Sequence, residues 1–115
     1  MKTWLPEQIK TGWQQEDGGW RFYFRDGSGK YVVNAWYRDE DKWYWFDGAG
    51  MMVHNTWYIY NGGWYYLGDD GVMRTGLQTV SGKWYYLDDT GRMATEPVVL
   101  TPDQDGALQY LGLRQ

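Results

Sequence analysis

Apolar positions along this chain gather in short aromatic runs broken by turns rich in glycine and aspartate. In "TWYIYNGGWYYLGDDG", the runs Trp57 to Tyr60 and Gly63 to Leu67 carry residues suited to strands. Asn61-Gly62 between them supplies the positive φ angles that a tight primed hairpin turn requires. Ser81-Gly82 holds the equivalent place one unit later. One unit earlier the place falls to Asp39-Glu40-Asp41, which lacks glycine and predicts a longer turn or one of another type. After the second run, Asp69-Asp70-Gly71 and Asp88-Asp89-Thr90-Gly91 turn the chain toward the next hairpin.

The pattern repeats. Gly29, Gly50, Gly71 and Gly91 are separated by 21, 21 and 20 residues. Met52, Met73 and Met93 follow at 21 and 20, and Trp43, Trp64 and Trp84 keep the same spacings. A further register runs Trp13, Trp36, Trp57 and Leu77, at 23, 21 and 20. An isolated two-stranded hairpin is marginal in water, so each unit must lean on its neighbours. The prediction is an all-β solenoid of stacked β-hairpins with atypical ends. Residues 1–11 read as a tail or linker, with Trp4 a candidate to dock on the first hairpin. Four repeats follow at 12–34, 35–55, 56–75 and 76–96, and 97–115 form a closing hairpin in which Val98, Val99, Leu100, Leu108 and Leu111 replace the aromatics.

Composition narrows the chemistry. Of 115 residues, 20% are aromatic, with 9 Trp and 11 Tyr but only 3 Phe. Trp and Tyr join a large apolar body to a polar handle and suit half-exposed sites. Cysteine is absent, which excludes disulfides and thiolate metal sites. His54 is the single histidine and sits at a connector position that Thr75 and Thr95 take in other units, so it reads as a surface residue. No metal site, cofactor or catalytic residue is expected: no nucleophile–base pair can be drawn, and the acids have turn, connector or terminal explanations. The Asp-rich turns lack the nine-residue glycine-aspartate period of calcium solenoids. A net charge of -4 argues against nucleic acid or an anionic membrane as partner. No apolar run reaches the roughly 18 residues needed to cross a bilayer, and the start "MKTWLPEQIKTG" does not resemble a secretion signal.

Alternation along a strand puts Trp64 and Tyr66 on one side, Tyr65 and Leu67 on the other. Stacking then brings Trp64 within reach of Tyr85 of the next hairpin, with Trp57 as a third wall. The same construction gives Trp36, Trp43 and Tyr65 one interface earlier, and before that Trp13, Trp20 and Tyr44, Trp20 lying beside a local insertion. A box of ring faces suits a quaternary ammonium, which has no N–H to donate and is held by ring quadrupoles and methyl contacts. Three walls at roughly 0.5–2 kcal/mol each describe a weak, about millimolar site, and an array of such sites gains on a repetitive polymer.

The pattern Gly-Trp, a spacer, Trp-Tyr-Tyr-Leu/Phe, Asp-x-x-Gly-x-Met and Thr-Gly resembles the choline-binding, or cell-wall-binding, repeat family over about residues 12–96. That resemblance implies a non-catalytic module of a Gram-positive wall hydrolase, phage endolysin or surface protein, acting at the cell wall as part of a parent protein. It implies choline or phosphocholine of teichoic acids as partner, caged by Trp36, Trp43 and Tyr65 and by Trp57, Trp64 and Tyr85, with Met52 and Met73 as further walls. Leu77 stands where the fourth unit's first Trp belongs, so a site at Leu77 and Trp84 is expected to be lost or filled. Ala35 and Thr56 replace the Gly before Trp36 and Trp57, a mild change on exposed backbone. Glycan binding by the same rings, a structural or protein-docking spacer, and self-association as a homodimer are the competing expectations. Tyr66, Tyr86 and Trp45 are expected to serve packing alone.

Overall fold

A computed structural model describes residues 8–102 and 108–110; Trp4 and Leu111 lie outside them. Its strands pair only within successive antiparallel hairpins: β1 (Gly12–Glu16) with β2 (Gly19–Tyr23), β3 (Ala35–Asp39) with β4 (Lys42–Phe46), and β5 (Thr56–Tyr60) with β6 (Gly63–Leu67). β7 (Gly76–Val80) pairs with β8 (Lys83–Leu87), and β9 (Leu100–Pro102) with β10 (Leu108–Tyr110). No helix occurs among the described residues. This is the expected all-β hairpin-repeat fold. The chain divides into two compact units, one ending at His54 and one beginning at Asn55.

Each of the first four hairpins turns on two residues, both at positive φ: Asp17-Gly18, Glu40-Asp41, Asn61-Gly62 and Ser81-Gly82. The expectation of a different turn at residues 39–41 is therefore corrected. Glu40 and Asp41 adopt φ of 48° and 64° without glycine, because Asp39 pairs with Lys42 in the register that its siblings keep. Primed turns match the right-handed twist of paired strands. Cross-strand aromatic pairs such as Trp36 opposite Trp45 offset the local strain.

The connectors carry more structure than their composition announces. Each bends back to place one residue beside the end of its own hairpin, through isolated antiparallel bridges Tyr23–Tyr31, Phe46–Met52, Leu67–Met73 and Leu87–Met93. Aspartate side chains build the bend: Asp47 Oδ1 accepts from the backbone N–H groups of Ala49 and Met51, each at 2.9 Å. Asp88 Oδ1 accepts from the N–H groups of Thr90 at 2.9 Å and Arg92 at 3.0 Å. The bridged strand ends are the core positions. Phe46, Leu67 and Leu87 are fully buried, and Phe22 and Val32 complete the cluster around Phe46 in the first unit.

Where glycine precedes the first aromatic position, at Gly12 and Gly76, that glycine takes positive φ. Where Ala35 and Thr56 stand there instead, the left-handed residue moves one place back, to Asn34 (φ 48°) and Asn55 (φ 54°). Asparagine tolerates this region better than other side-chain-bearing residues. The N–H groups of Asn34 and Asn55 then bond the carbonyls of Asp47 and Gly68, at 3.0 and 2.8 Å. The replacement is a relocation of the kink rather than a neutral change.

Candidate functional site

In the second unit the first strand of hairpin β5–β6 offers Trp57, and the second offers Trp64. Trp57 lies across from Tyr66 in register, with ring centroids 5.1 Å apart at 64°. From the following hairpin, Tyr85 of β8 meets Trp57 at 4.8 Å and 66°. Two rings at that angle form a corner, whereas parallel stacking would use up their faces on each other. The connector after β8 closes a further side: the Met93 N–H donates to the Trp64 carbonyl at 2.8 Å. Trp57, Trp64 and Met93 line a cavity of about 290 Å³. That is near the lower end of ligand sites, about 300–1,000 Å³, and fits a small headgroup.

Met73, expected here as a wall, is bridged to Leu67 at the end of its own hairpin, and its sulfur lies against Gly91. Met93, one repeat further on, lines the cavity instead. Stacking places the methionine that follows a hairpin beside the tryptophan of the hairpin before it. Glycine opens the way for that approach. A Cβ at Gly63 would stand 2.7 Å from Nε of Arg92, the neighbour of Met93.

The first unit repeats the arrangement. Trp13 of β1 meets Tyr44 of β4 at 4.7 Å and 73°, and Trp20 of β2 at 6.4 Å and 81°. The Met52 N–H donates to the Trp20 carbonyl at 2.8 Å, as Met93 does to Trp64. Gly19 lies under the sulfur of Met51, as Gly63 lies under Arg92. The set Trp13, Trp20 and Tyr44 is thus brought together, with Met52 beside it. One contact has no counterpart in the sequence reading: Trp13 Nε1 donates to Asp39 Oδ2 at 3.0 Å.

Trp36 and Trp43 belong to the first unit and Tyr65 to the second. Trp36 packs on its cross-strand partner Trp45 at 5.4 Å and 66°. Tyr65 on β6 stands 6.4 Å from Tyr60. Three second-strand tryptophans at the same repeat position share one degree of exposure, 40% at Trp20 and 41% at Trp43 and Trp64. Trp84 is 67% exposed and Leu77, which replaces its partner tryptophan, 45%. Half-open indoles at one repeating position are what a surface that takes small ligands requires. Among the residues expected to pack, Trp45 is buried, and the Tyr66 hydroxyl lies 3.3 Å from Asn55 Oδ1.

Sequence reasoning anticipated the contacts of Trp13 with Trp20 and Tyr44 and of Trp57 with Tyr85, but not Met93 as a wall or Asp39 as a partner of Trp13. The first was available in the spacing, since Met52 and Met93 occupy matching places. The second needed the relative placement of two hairpins.

Two family models match the chain. The cell wall binding repeat covers residues 11–31, 34–52 and 55–73, and the choline-binding repeat covers 74–112. No curated protein matches significantly. Several solved structures are similar. The modular Cpl-1 endolysin complexed with a peptidoglycan analogue is 32% identical over 96% of this chain and 34% of its own, with a TM-score of 0.66. The multimodular pneumococcal cell wall endolysin from phage Cp-1, complexed with choline, is 33% identical over 91% of this chain and 32% of its own, with a TM-score of 0.67. Choline binding protein F from Streptococcus pneumoniae is 36% identical over 87% of this chain and 38% of its own, with a TM-score of 0.68. The chain therefore spans about a third of the length of these relatives.

Proposed function

The chain belongs to the choline-binding, cell wall binding repeat family, and from that premise we propose that it is a non-catalytic wall-binding module holding choline headgroups in aromatic cages. The observation that carries this reading is the cavity of about 290 Å³ walled by Trp57, Trp64 and Met93, with Tyr85 packed on Trp57. A trimethylammonium group offers methyl surface and a diffuse positive charge, and no N–H. Ring faces and a polarisable thioether answer both features. The set Trp13, Trp20 and Tyr44 is assigned the same role, with Met52 beside it and Met93 beside Trp64 as walls. The choline complex of the endolysin from phage Cp-1 supports the assignment. The module acts at the cell wall as the binding part of a longer protein, in keeping with the third of each relative's length that it spans.

Choline added to the purified chain is expected to change tryptophan fluorescence and raise the melting temperature. A ligand at 100 times its Kd stabilises the native state by about 2.7 kcal/mol. Trp57→Ala or Trp64→Ala should remove one site from the titration while the circular dichroism spectrum stays that of the parent. An unchanged melting temperature at tens of millimolar choline, a range set by about millimolar sites, would sink the reading. Glycan recognition by the same rings is the rival, since the relatives' complexes include a peptidoglycan analogue. It wins if wall glycan binds undisturbed by excess choline.

A further inference from the structure

One difference between the two aromatic sets that are complete within one unit is a charged side chain bonded to an indole. In the first, the Trp13 indole donates its N–H to the carboxylate of Asp39 at 3.0 Å. Asp39 ends β3 opposite Lys42; the register equivalent in the second unit is Val80, which ends β7 opposite Lys83. The lysine is common to both units; Arg92 lies against Gly63 of the second set where Met51 lies against Gly19 of the first, so both charge differences leave the first set the more negative. We propose that Asp39 makes the Trp13–Trp20–Tyr44 set the tighter and more charge-selective of the two cation sites, by holding a full negative charge on the indole that forms its central wall.

The inference rests on the cation-cage reading and adds a rank order to it. Attraction of a cation to a ring depends on the electron density of the ring face. An indole whose N–H is bound by an anion is more electron-rich than one bound to water or to nothing. The carboxylate also acts at a distance. A quaternary ammonium cannot donate to it, yet Coulomb attraction across a few ångströms of partly desolvated protein persists where a fully exposed charge would be screened. Asp39 is half-buried, and among the described residues it makes no ion pair that would cancel it. Val80 has no charge to offer Trp57 by either route. Trp57 and Tyr85 meet with almost the geometry of Trp13 and Tyr44, 4.8 Å at 66° against 4.7 Å at 73°. The Trp–Tyr corner is therefore nearly constant between the sets while local charge is not; around it Trp13 packs on Phe22 and Phe46, and Trp57 on Tyr66.

The test follows the indole N–H resonances of Trp13, Trp57 and Trp64 in the full chain, by heteronuclear NMR, through titrations with choline and with its neutral carbon isostere, dimethylbutanol. Asp39→Asn keeps an oxygen to accept from Trp13 and removes only the charge. Choline binding read at Trp13 should weaken roughly threefold to tenfold, with the isostere unaffected and Trp57 and Trp64 titrating as before. Val80→Asp should strengthen choline binding at Trp57 without strengthening the isostere. Equal choline affinity at Trp13 with and without the charge overturns the inference. So does an equal loss for choline and isostere, which would mark a packing role. If choline moves none of the three indole signals in the parent chain, the cage reading fails and takes the inference with it; a normal response at Trp57 and Trp64 isolates the failure to Asp39.

Discussion

Glu16 is the most heavily contacted acid of the first unit. Lys10 Nζ lies 2.5 Å from one of its oxygens, the Tyr23 hydroxyl donates to the other, and Arg21 Nη1 lies 3.3 Å from that same oxygen. Hydrogen bonding by Lys10, then by Tyr23, pulls its carboxyl down from 4.5 to about 2. The Glu16 carboxylate in turn raises the Lys10 ammonium and the Tyr23 phenol above their ordinary values. Because the folded-state value of Glu16 lies below the unfolded one, its stabilisation is fully present above about pH 4.5 and is lost as pH falls toward about 2. Glu16→Gln should remove this part of the acid sensitivity. Melting temperatures of parent and variant, measured between pH 6 and pH 2 to bracket the window, should converge at the acid end. Curves that stay parallel would show that Glu16 does not carry it.

At the scale of the hairpin, the turn at Glu40-Asp41 holds two side-chain-bearing residues in the left-handed region where two of its siblings use glycine second and aspartate or asparagine first. Replacing the pair with Asn-Gly, by Glu40→Asn and Asp41→Gly, should stabilise the chain by about 0.5–1 kcal/mol. The exposed Arg38–Asp41 pair, 3.0 Å apart, is lost in the exchange but contributes little in water. A urea midpoint that falls rather than rises would show that the turn is not strained. This hairpin also shows how far sequence reaches. The twenty-residue period, the paired strands and the Trp13–Tyr44 and Trp57–Tyr85 contacts were legible because alternation and spacing are written in side-chain type. Glu40-Asp41 was misjudged because the register comes from pairing along the whole hairpin and overrides turn preference. The relocation of the kink to Asn34 and Asn55 was equally hidden, since it concerns backbone conformation that glycine merely permits. Met73 was expected at the wall that Met93 supplies for a related reason: the bridge of Met93 to Leu87 is local, but its N–H bond reaches Trp64 of the preceding hairpin.

At the scale of the molecule, each compact unit holds one complete aromatic set, Trp13–Trp20–Tyr44 in the first and Trp57–Trp64–Tyr85 in the second. Cages of this size bind a single headgroup weakly, and the cation–π contribution of three walls cannot make them tight. A polymer that bears many headgroups changes the arithmetic, because the second contact becomes intramolecular and avidity can exceed single-site affinity by about 10²–10⁴. Loss of one cage should then act very differently on the two ligands. With free choline, Trp64→Ala should lower the number of sites by one and leave the remaining affinities unchanged. On a choline-bearing resin, the same variant should elute at much lower free choline, with retention weakened on the order of tenfold or more. Trp20→Ala should do the same from the first unit, and the double variant should lose more than either. Retention that falls only in proportion to the number of cages would mean that the sites engage the polymer one at a time, and that repetition serves the packing of hairpins rather than the grip on the wall.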